Sequence, residues 1–238
     1  MKDFTGKKLL VIGGTSGIGK MVSRRVLERG GSAVVVGRLD ESVAAAVREL
    51  GCFGVVAGER ADLTSMTEME QLRIRIDAHH GDSDYLVNAA GVFLPKAFLE
   101  HTTGDYDHYF SINRSLFFIT QTVVRNMVAR NRGGSVVNVG SMWAKQAVAA
   151  TPSSAYSMAK AGLHSFTQHL AMELAGAHIR VNAVSPAVVE TPIYEAFIEK
   201  ENVHSTLQGF NRFHPIGRIG RPEDVAEELR YLTRVLGG

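Results

Sequence analysis

Residues 8–19 read KLLVIGGTSGIG, in which a short apolar run passes directly into a glycine-rich turn. The run is typical of a buried β-strand, and the residues from Gly17 onward predict a helix. Glycines at such a junction let the backbone turn tightly and approach a pyrophosphate, whose charge is stabilised by the free N–H groups at the helix N-terminus. The spacing is Gly13-x-x-x-Gly17-x-Gly19, and a purely structural turn is the alternative interpretation. With a strand before it and a helix after it, the turn predicts a dinucleotide-binding site.

Short apolar runs alternate with longer amphipathic segments along the rest of the chain. We predict strands at residues 8–12, 33–36, 53–57, 85–88, 135–139 and 179–184, and helices at 17–29, 41–50, 66–79, 105–130, 154–175 and 222–235. Nearly continuous apolar character is typical of strands that are buried on both faces. The alternation therefore predicts an α/β fold, a Rossmann-like doubly wound parallel sheet flanked by helices on both faces. Residues 187–219 fit neither pattern, and we interpret them as a substrate lid.

Length and composition exclude several classes of protein. The 238 residues are most simply one domain, and 45% hydrophobic with 21% charged residues is typical of a globular chain. No apolar run approaches the roughly 18 residues that a membrane-spanning helix needs. Basic and acidic residues are interspersed, with a formal net charge of +2, so a nucleic-acid partner is not expected. Cys52 is the one cysteine, which excludes an internal disulfide and favours a cytoplasmic location.

Tyr156 and Lys160 lie four residues apart in a predicted helix, fifteen residues after Ser141. A phenol has a pKa of about 10 and exchanges protons poorly at neutral pH unless its anion is stabilised. At positions i and i+4 the two side chains share one helix face, so we expect the ammonium to favour ionisation of the phenol. The pair predicts an acid/base group, although the spacing alone is a weak signal.

Arg38 follows the second predicted strand. In dinucleotide-binding proteins the residue at this position distinguishes NAD from NADP. An acidic residue here would bind the ribose 2′-hydroxyl of NAD, whereas an arginine suits the 2′-phosphate of NADP. Arg38 is nearer the strand end than Asp40 is. We therefore predict that NADP(H) is preferred and that NAD(H) is possible; a solvated loop arginine is the alternative.

Further motifs occur in the order of a known family. An acidic residue, Asp62, lies in RADLTS after the third strand, Asn88-Ala89-Ala90-Gly91 follows the fourth strand, and the stretch from Pro186 to Thr191 follows the sixth. With the glycine turn and the Tyr156–Lys160 pair, these motifs make the chain resemble the short-chain dehydrogenase/reductase family over nearly its whole length. The resemblance implies an NAD(P)-dependent oxidoreductase that interconverts a carbonyl and a secondary alcohol by hydride transfer.

The resemblance also implies a role for each motif residue. Tyr156 would be the acid/base, Lys160 would lower its pKa and bind the nicotinamide ribose, and Ser141 would orient the substrate oxygen. Asn113 would hold a helix irregularity and a water that leads protons toward Lys160. The implied cofactor contacts are Gly13, Thr15, Ser16, Gly17, Ile18, Gly19, Arg38, Asp62, Leu63, Asn88, Ala89, Gly91, Tyr156, Lys160, Pro186, Val189 and Thr191. Considered singly, each of these residues also has a structural interpretation.

The sequence departs from the family pattern in three places. Ala187 stands where the family has glycine after the proline, which limits backbone freedom beside the nicotinamide. The interval from Ser141 to Tyr156 is about two residues longer than usual, so we expect a reshaped substrate entrance and a slight displacement of Ser141. The family's seventh strand and its Asp-Gly-Gly sequence have no counterpart near Arg234, so we expect that this edge strand is missing or that the sequence is incomplete. The resemblance implies a homodimer or homotetramer, although a missing edge strand would remove part of the family's usual subunit contact.

Other kinds of site are not indicated. The nine histidines are scattered without a Cys/His ligand set, so no metal is expected, and Ser141 has no nucleophile elbow for hydrolysis. Apolar residues near the expected nicotinamide position favour a hydrophobic carbonyl or alcohol as the substrate; they are Phe93, Leu94, Met142, Trp143, Ile193, Tyr194, Phe197, Phe210 and Phe213. Two alternatives stay open: a catalytically silent cofactor-binding regulatory protein, and an epimerase or dehydratase of nucleotide-sugars. The short region after residue 184 argues against the second alternative.

Overall fold

A computed structural model describes residues 3–149 and 151–233 of the chain. The strands are β1 (Lys8–Ile12), β2 (Ser32–Gly37), β3 (Val56–Arg60), β4 (Tyr85–Asn88), β5 (Gly134–Val139) and β6 (Ile179–Val184). The α-helices are α1 (Gly17–Leu27), α2 (Asp40–Gly51), α3 (Met66–His79), α4 (Thr103–Arg130), α5 (Ser154–Leu174), α6 (Val203–Gln208) and α7 (Pro222–Thr233).

The six strands form one parallel sheet in the order β3-β2-β1-β4-β5-β6. The chain moves outward from β1 to β3, returns across the sheet, and continues outward from β4 to β6. The order therefore reverses between β1 and β4, which is where doubly wound sheets bind their ligands, beyond the carboxyl ends of the strands. The predicted Rossmann-like α/β fold is confirmed.

Alternating side chains of the strands supply two cores. Leu10, Leu86 and Val136 face α3, α4 and α5, and all three are fully buried. Leu9 and Val87 face the opposite side of the sheet, where they pack with α1 and α7. A strand that is covered on both faces has no solvent-exposed side, which favours apolar residues at most positions and explains the continuous runs in the sequence.

The third strand lies three residues later than predicted. Its apolar run, 53–57, overlaps a turn after α2, and pairing with β2 begins at Val56 opposite Ala33. Phe53 leaves the sheet and packs under the Arg24 guanidinium, 4.4 Å from the ring centroid, and Val55 is 77% exposed. Because β3 lies at the edge of the sheet, it needs fewer apolar residues than the central strands, and the apolar run at 53–57 therefore did not predict where β3 begins.

The segment interpreted as a lid contains short regular elements that the sequence pattern did not predict. Besides α6 it has 3-10 turns at Pro192–Ala196, Lys200–Asn202 and Asn211–Phe213. Val203 and Leu207 of α6 are buried against Trp143, which fixes the segment over the end of β5. The predicted end of the last helix and the expected loss of a seventh strand fall on residues 234–238, outside the described residues.

Candidate active site

A cleft of about 450 Å³ opens at the carboxyl edge of the sheet. Because all six strands are parallel, the segments that follow them converge at this edge. The cleft is lined by residues from the ends of all six strands, among them Gly13, Thr15, Ser16, Gly17, Ile18, Gly19, Arg38, Asp62, Leu63, Ala89, Gly91, Ser141, Tyr156, Lys160, Pro186, Val189 and Thr191. Of the catalytic and cofactor-binding residues predicted from the sequence, Asn88 and Asn113 do not line it.

The glycine turn after β1 requires glycine for two separate reasons. Gly13 and Gly17 have positive φ angles of 84° and 49°, which L side chains rarely adopt. A Cβ at Gly13 would lie 2.5 Å from the Ala90 nitrogen, and a Cβ at Gly19 would lie 2.1 Å from the Gly13 oxygen. The turn is therefore packed backbone against backbone, with the start of α1 held against β1 and the loop after β4.

The start of α1 fits a pyrophosphate. Ser16 is the N-cap residue, but its side chain makes no capping hydrogen bond, and no acidic side chain lies in the first turn. The first N–H groups of the helix, with their partial positive charge, are therefore available to an anionic ligand. Thr191 lies against Gly17, 3.1 Å from the position of a Cβ there, so the loop after β6 closes over the same point.

Arg38 and Asp62 lie at the other end of the cleft. Arg38 is exposed, and no acidic side chain of the described residues forms an ion pair with its guanidinium. Burial alone would raise the pKa of Asp62, but the two hydrogen bonds from Thr64 and the charges of Arg38 and Arg60 outweigh burial and lower that pKa. Asp62 is therefore an anion at neutral pH, beside a cation that is free to bind a phosphate.

Lys160 is the buried cation of the site. Its ammonium donates a hydrogen bond of 2.7 Å to the Val139 carbonyl at the end of β5, and it lies 5.9 Å from the centroid of the Tyr156 ring. Burial lowers the pKa of Lys160 to about 8. The helix spacing of Tyr156 and Lys160 does bring both side chains to the same wall of the cleft.

The phenol of Tyr156 does not have the lowered pKa that the sequence suggested. Burial raises the pKa of Tyr156 to about 12, and a hydrogen bond with the Ser141 side chain only partly offsets this effect. The ammonium of Lys160 lies beside the ring and is engaged by Val139, so burial has the larger effect. Tyr156 is therefore a neutral phenol at pH 7, able to donate a proton.

Ser141 lies two residues beyond Val139, which is the last residue of β5. It is buried, and its side chain accepts a hydrogen bond of 3.3 Å from the Trp143 backbone nitrogen, which starts a 3-10 turn at Met142–Ala144. The longer interval before Tyr156 does not separate the two residues, because both line the same cleft. Two hydroxyl groups are thus presented together at one wall of the cleft.

Asn113 and Asn88 support the site from below. Asn113 donates a hydrogen bond of 2.7 Å from α4 to the Ala159 carbonyl, next to Lys160, and α4 runs unbroken through this position without the expected irregularity. Asn88 is fully buried and donates to Thr120 and Asn138. Both amides hold elements together, and neither reaches the cleft.

Ala187 tolerates its position without strain. Pro186 accepts a hydrogen bond of 3.0 Å from the Met142 nitrogen, which continues the pairing of β5 and β6 into the loops. Within the described residues, the non-glycine residues with positive φ are Asn131 and His178. Ala187 therefore has an ordinary backbone conformation, and it lines the cleft.

An aromatic cluster covers the Tyr156 ring. We define it as the rings of Phe93, Trp143, Tyr156, Tyr194, Phe197 and Phe213. Phe93 lies at its centre, with ring centroids 4.9 Å from Tyr156, 6.2 Å from Trp143 and 5.7 Å from Phe197. Phe213 reaches the cluster through Trp143, at 6.5 Å. The structure therefore brings together most of the apolar residues that the sequence placed near a substrate, and Ile193 also lines the cleft.

Sequence reasoning missed several residues that line the cleft or lie beside it, among them three in α4 and α5. His108 and Ile112 line the cleft from α4, four residues and so about one helical turn apart. His164 follows Lys160 by one helical turn; its Nε2 lies 2.9 Å from the Ser185 hydroxyl and 2.6 Å from where a Cβ at Gly140 would stand. The spacing of four residues from Lys160 was the available signal for His164, whereas His108 and Ile112 had none.

Two features are absent from residues 3–149 and 151–233. No three His, Cys, Asp or Glu side chains of this part of the chain lie close enough together to hold a metal ion. None of its helices is both long enough and apolar enough to cross a bilayer.

Comparisons with known proteins identify relatives over almost the full length. The family model described as short chain dehydrogenase matches residues 7–202. The chain is 32% identical to the 3-oxoacyl-(acyl-carrier-protein) reductase FabG of Chlamydia pneumoniae, over 97% of this chain and 91% of that protein. It is 33% identical to the L-xylulose reductase of Bos taurus, over 95% and 88%. Among solved structures, L-sorbose reductase of Gluconobacter frateurii, complexed with NADPH and L-sorbose, is similar with a TM-score of 0.88 and 25% identity, covering 99% of this chain and 92% of that one.

Replacing Gly19 by alanine tests whether the glycine turn holds a dinucleotide. The new Cβ would lie 2.1 Å from the Gly13 oxygen, so the turn must shift and its N–H groups lose their common direction. We expect the Kd for NADPH, measured by quenching of protein fluorescence, to rise about tenfold or more. Gly51→Ala is the matched control, because a Cβ there meets nothing within 4 Å. Equal affinities for the two variants would contradict the assignment.

Proposed function

The chain belongs to the short-chain dehydrogenase family, a family of oxidoreductases, and from this membership we propose that it reduces a carbonyl compound to a secondary alcohol, and catalyses the reverse reaction, with Tyr156 as acid/base. The observation that carries the proposal is that the Tyr156 and Ser141 side chains line the same cleft as Lys160, whose buried ammonium is hydrogen-bonded to the Val139 carbonyl. Two hydroxyl donors and a cation at one point suit an oxygen on which negative charge develops.

The residues of the cleft fit a nicotinamide dinucleotide. The N–H groups at the start of α1 would hold the pyrophosphate, Asp62 would accept from the adenine, and Pro186, Val189 and Thr191 would lie beside the nicotinamide. When bound, the cofactor supplies or accepts the hydride. The chain's own residues bind and orient it and handle the proton.

Ser141 and Tyr156 would both donate hydrogen bonds to the carbonyl oxygen of the substrate. As the oxygen gains charge, Tyr156 transfers its proton and becomes a phenolate, which the nearby Lys160 ammonium stabilises. A phenol with a pKa of about 12 is protonated at neutral pH, which is the form that reduction requires. Alcohol oxidation requires the phenolate instead, so we propose that reduction is the faster direction near pH 7.

We propose NADP(H) as the preferred cofactor, with NAD(H) possible. Arg38 is exposed at the end of β2, lines the cleft, and has no competing ion pair with a carboxylate in the described residues. A guanidinium in that position binds a phosphate with two parallel hydrogen bonds, which the 2′-hydroxyl of NAD cannot offer.

We also propose that residues 187–219 act as a substrate lid and that the substrate is largely apolar. The lid contributes Val188, Val203, Leu207 and Ile219 to the packing around Trp143. A substrate whose carbonyl oxygen contacts Tyr156 would place its remaining atoms among the aromatic rings. A single domain, a cytoplasmic location and assembly as a homodimer or homotetramer stay predictions from the sequence.

Replacing Tyr156 by phenylalanine tests the proposed reaction. The ring and its packing are kept and only the proton donor is lost, so we expect kcat for ketone reduction to fall about 100-fold to 10,000-fold. The measurement is NADPH consumption with a panel of apolar ketones and alcohols, and NADPH binding is the control that should stay within about twofold. If no compound is turned over in a Tyr156-dependent way although NADPH binds, the silent cofactor-binding alternative is favoured.

Replacing Arg38 by aspartate tests the cofactor preference. We expect the Kd for NADPH to rise about 10-fold to 100-fold, because a phosphate contact is exchanged for a repulsion, while the Kd for NADH changes less than about threefold. Arg48→Asp makes the same change of charge at an exposed position of α2 outside the cleft and should affect neither cofactor. Equal losses for NADPH and NADH in Arg38→Asp would refute the preference.

A further inference from the structure

The indole nitrogen of Trp143 is a buried donor without a partner. Trp143 is 8% exposed, and its Nε1 has no hydrogen bond in the part of the chain that the structure describes. Buried polar groups are nearly always hydrogen-bonded, because leaving one unpaired costs free energy. Trp143 does not itself line the cleft, but it packs with Tyr156 and Tyr194, which do, so its unpaired donor is a candidate binding group for a ligand.

Trp143 is held in place by the same turn that positions Ser141. Its backbone nitrogen donates to the Ser141 hydroxyl, and its ring packs with Val188 and Ile219 of the proposed lid. Tyr156 and Tyr194, which line the cleft, pack against this group of residues. The Phe93 ring contacts both the Tyr156 ring and the Trp143 ring, with centroid distances of 4.9 Å and 6.2 Å.

The other polar atoms of the aromatic cluster already have partners. The Tyr156 hydroxyl interacts with the Ser141 side chain, and the Tyr194 hydroxyl interacts with the Val189 backbone. Nearby, the Tyr109 hydroxyl both accepts from the Leu94 nitrogen and donates to the Leu94 oxygen. Among the polar atoms of the six rings, all of which belong to described residues, the indole N–H is thus the one without a hydrogen-bond partner, and it is available to a ligand.

We propose that the substrate carries a second acceptor oxygen, apart from the reacting carbonyl, and that the Trp143 indole N–H binds it. The inference rests on the proposed function, because Ser141 and Tyr156 must hold the first oxygen. The substrate class is then an apolar ketone with an additional ether, ester, hydroxyl or carbonyl oxygen among the aromatic rings. A site with a buried donor discriminates strongly against an analogue that lacks the acceptor, since the donor then stays unpaired.

Matched ketones test this specificity. Octan-2-one is compared with ketones of the same chain length in which one methylene at a time is replaced by an ether oxygen. We expect one position of the ether oxygen to raise kcat/KM about tenfold over octan-2-one, which is the effect of one hydrogen bond, and Trp143→Phe to abolish that preference. Should Trp143→Phe fail to fold, benzothienylalanine at position 143 keeps the shape of the ring system and replaces the N–H by sulfur.

A second readout is independent of turnover. Trp143 is the one tryptophan of the chain, so indole labelling with ¹⁵N gives a single N–H resonance that reports on this donor. With NADP⁺ in place of NADPH no ketone is reduced, and we expect the favoured ether ketone to move the resonance downfield while octan-2-one does not.

The outcomes separate the two proposals. Movement of the indole resonance without any Tyr156-dependent turnover would contradict the proposed reaction and support the acceptor site. Turnover in which no ether position is preferred, a preference that survives in Trp143→Phe, or a resonance that no compound of the series moves would overturn the acceptor site.

Discussion

The hydrogen bond from the Lys160 ammonium to the Val139 carbonyl determines the geometry of the whole site. Burying a cation is unfavourable unless an acceptor compensates for its lost hydration, and the Val139 carbonyl at the end of β5 is that acceptor. The bond fixes α5 against the carboxyl edge of the sheet. Ser141 follows Val139 by two residues and Tyr156 precedes Lys160 by one helical turn, so both hydroxyl groups are placed by the same contact.

Burial has opposite effects on the two members of the acid/base pair. It raises the pKa of Tyr156 to about 12 and lowers the pKa of Lys160 to about 8. Both shifts favour the neutral form of each group, because a low-dielectric environment penalises charge. At neutral pH the phenol keeps its proton and most of the lysine remains charged, so a proton donor lies beside the cation that would stabilise its conjugate base. The aromatic cluster that produces this burial also provides the surface against which a substrate would pack.

Much of this arrangement could be predicted from local sequence, and the rest depends on contacts distant in the chain. Residues 8–19 indicated the turn because the positive φ angles of Gly13 and Gly17 and the close contact of Gly19 with the Gly13 oxygen are local to β1 and α1. The sheet followed from continuous apolar runs, and the one misplaced strand, β3, is an edge strand for which such a run is not required. The pKa of Tyr156 was beyond sequence reasoning, since it depends on rings from Phe93 and Tyr194, and so was the position of Asn88 beneath the cleft rather than in it.

The pH dependence of ketone reduction tests the central claim that the buried Lys160 cation supports proton donation by Tyr156. If it does, kcat/KM for reduction should be constant below about pH 7 and should fall as the pH passes about 8, where Lys160 loses its proton although Tyr156 still keeps its own. The rate falls on the alkaline side because Lys160, with its lowered pKa, loses its proton and its positive charge there. A rate that stays constant to about pH 10 would show that the charge of Lys160 is not needed and would contradict the account.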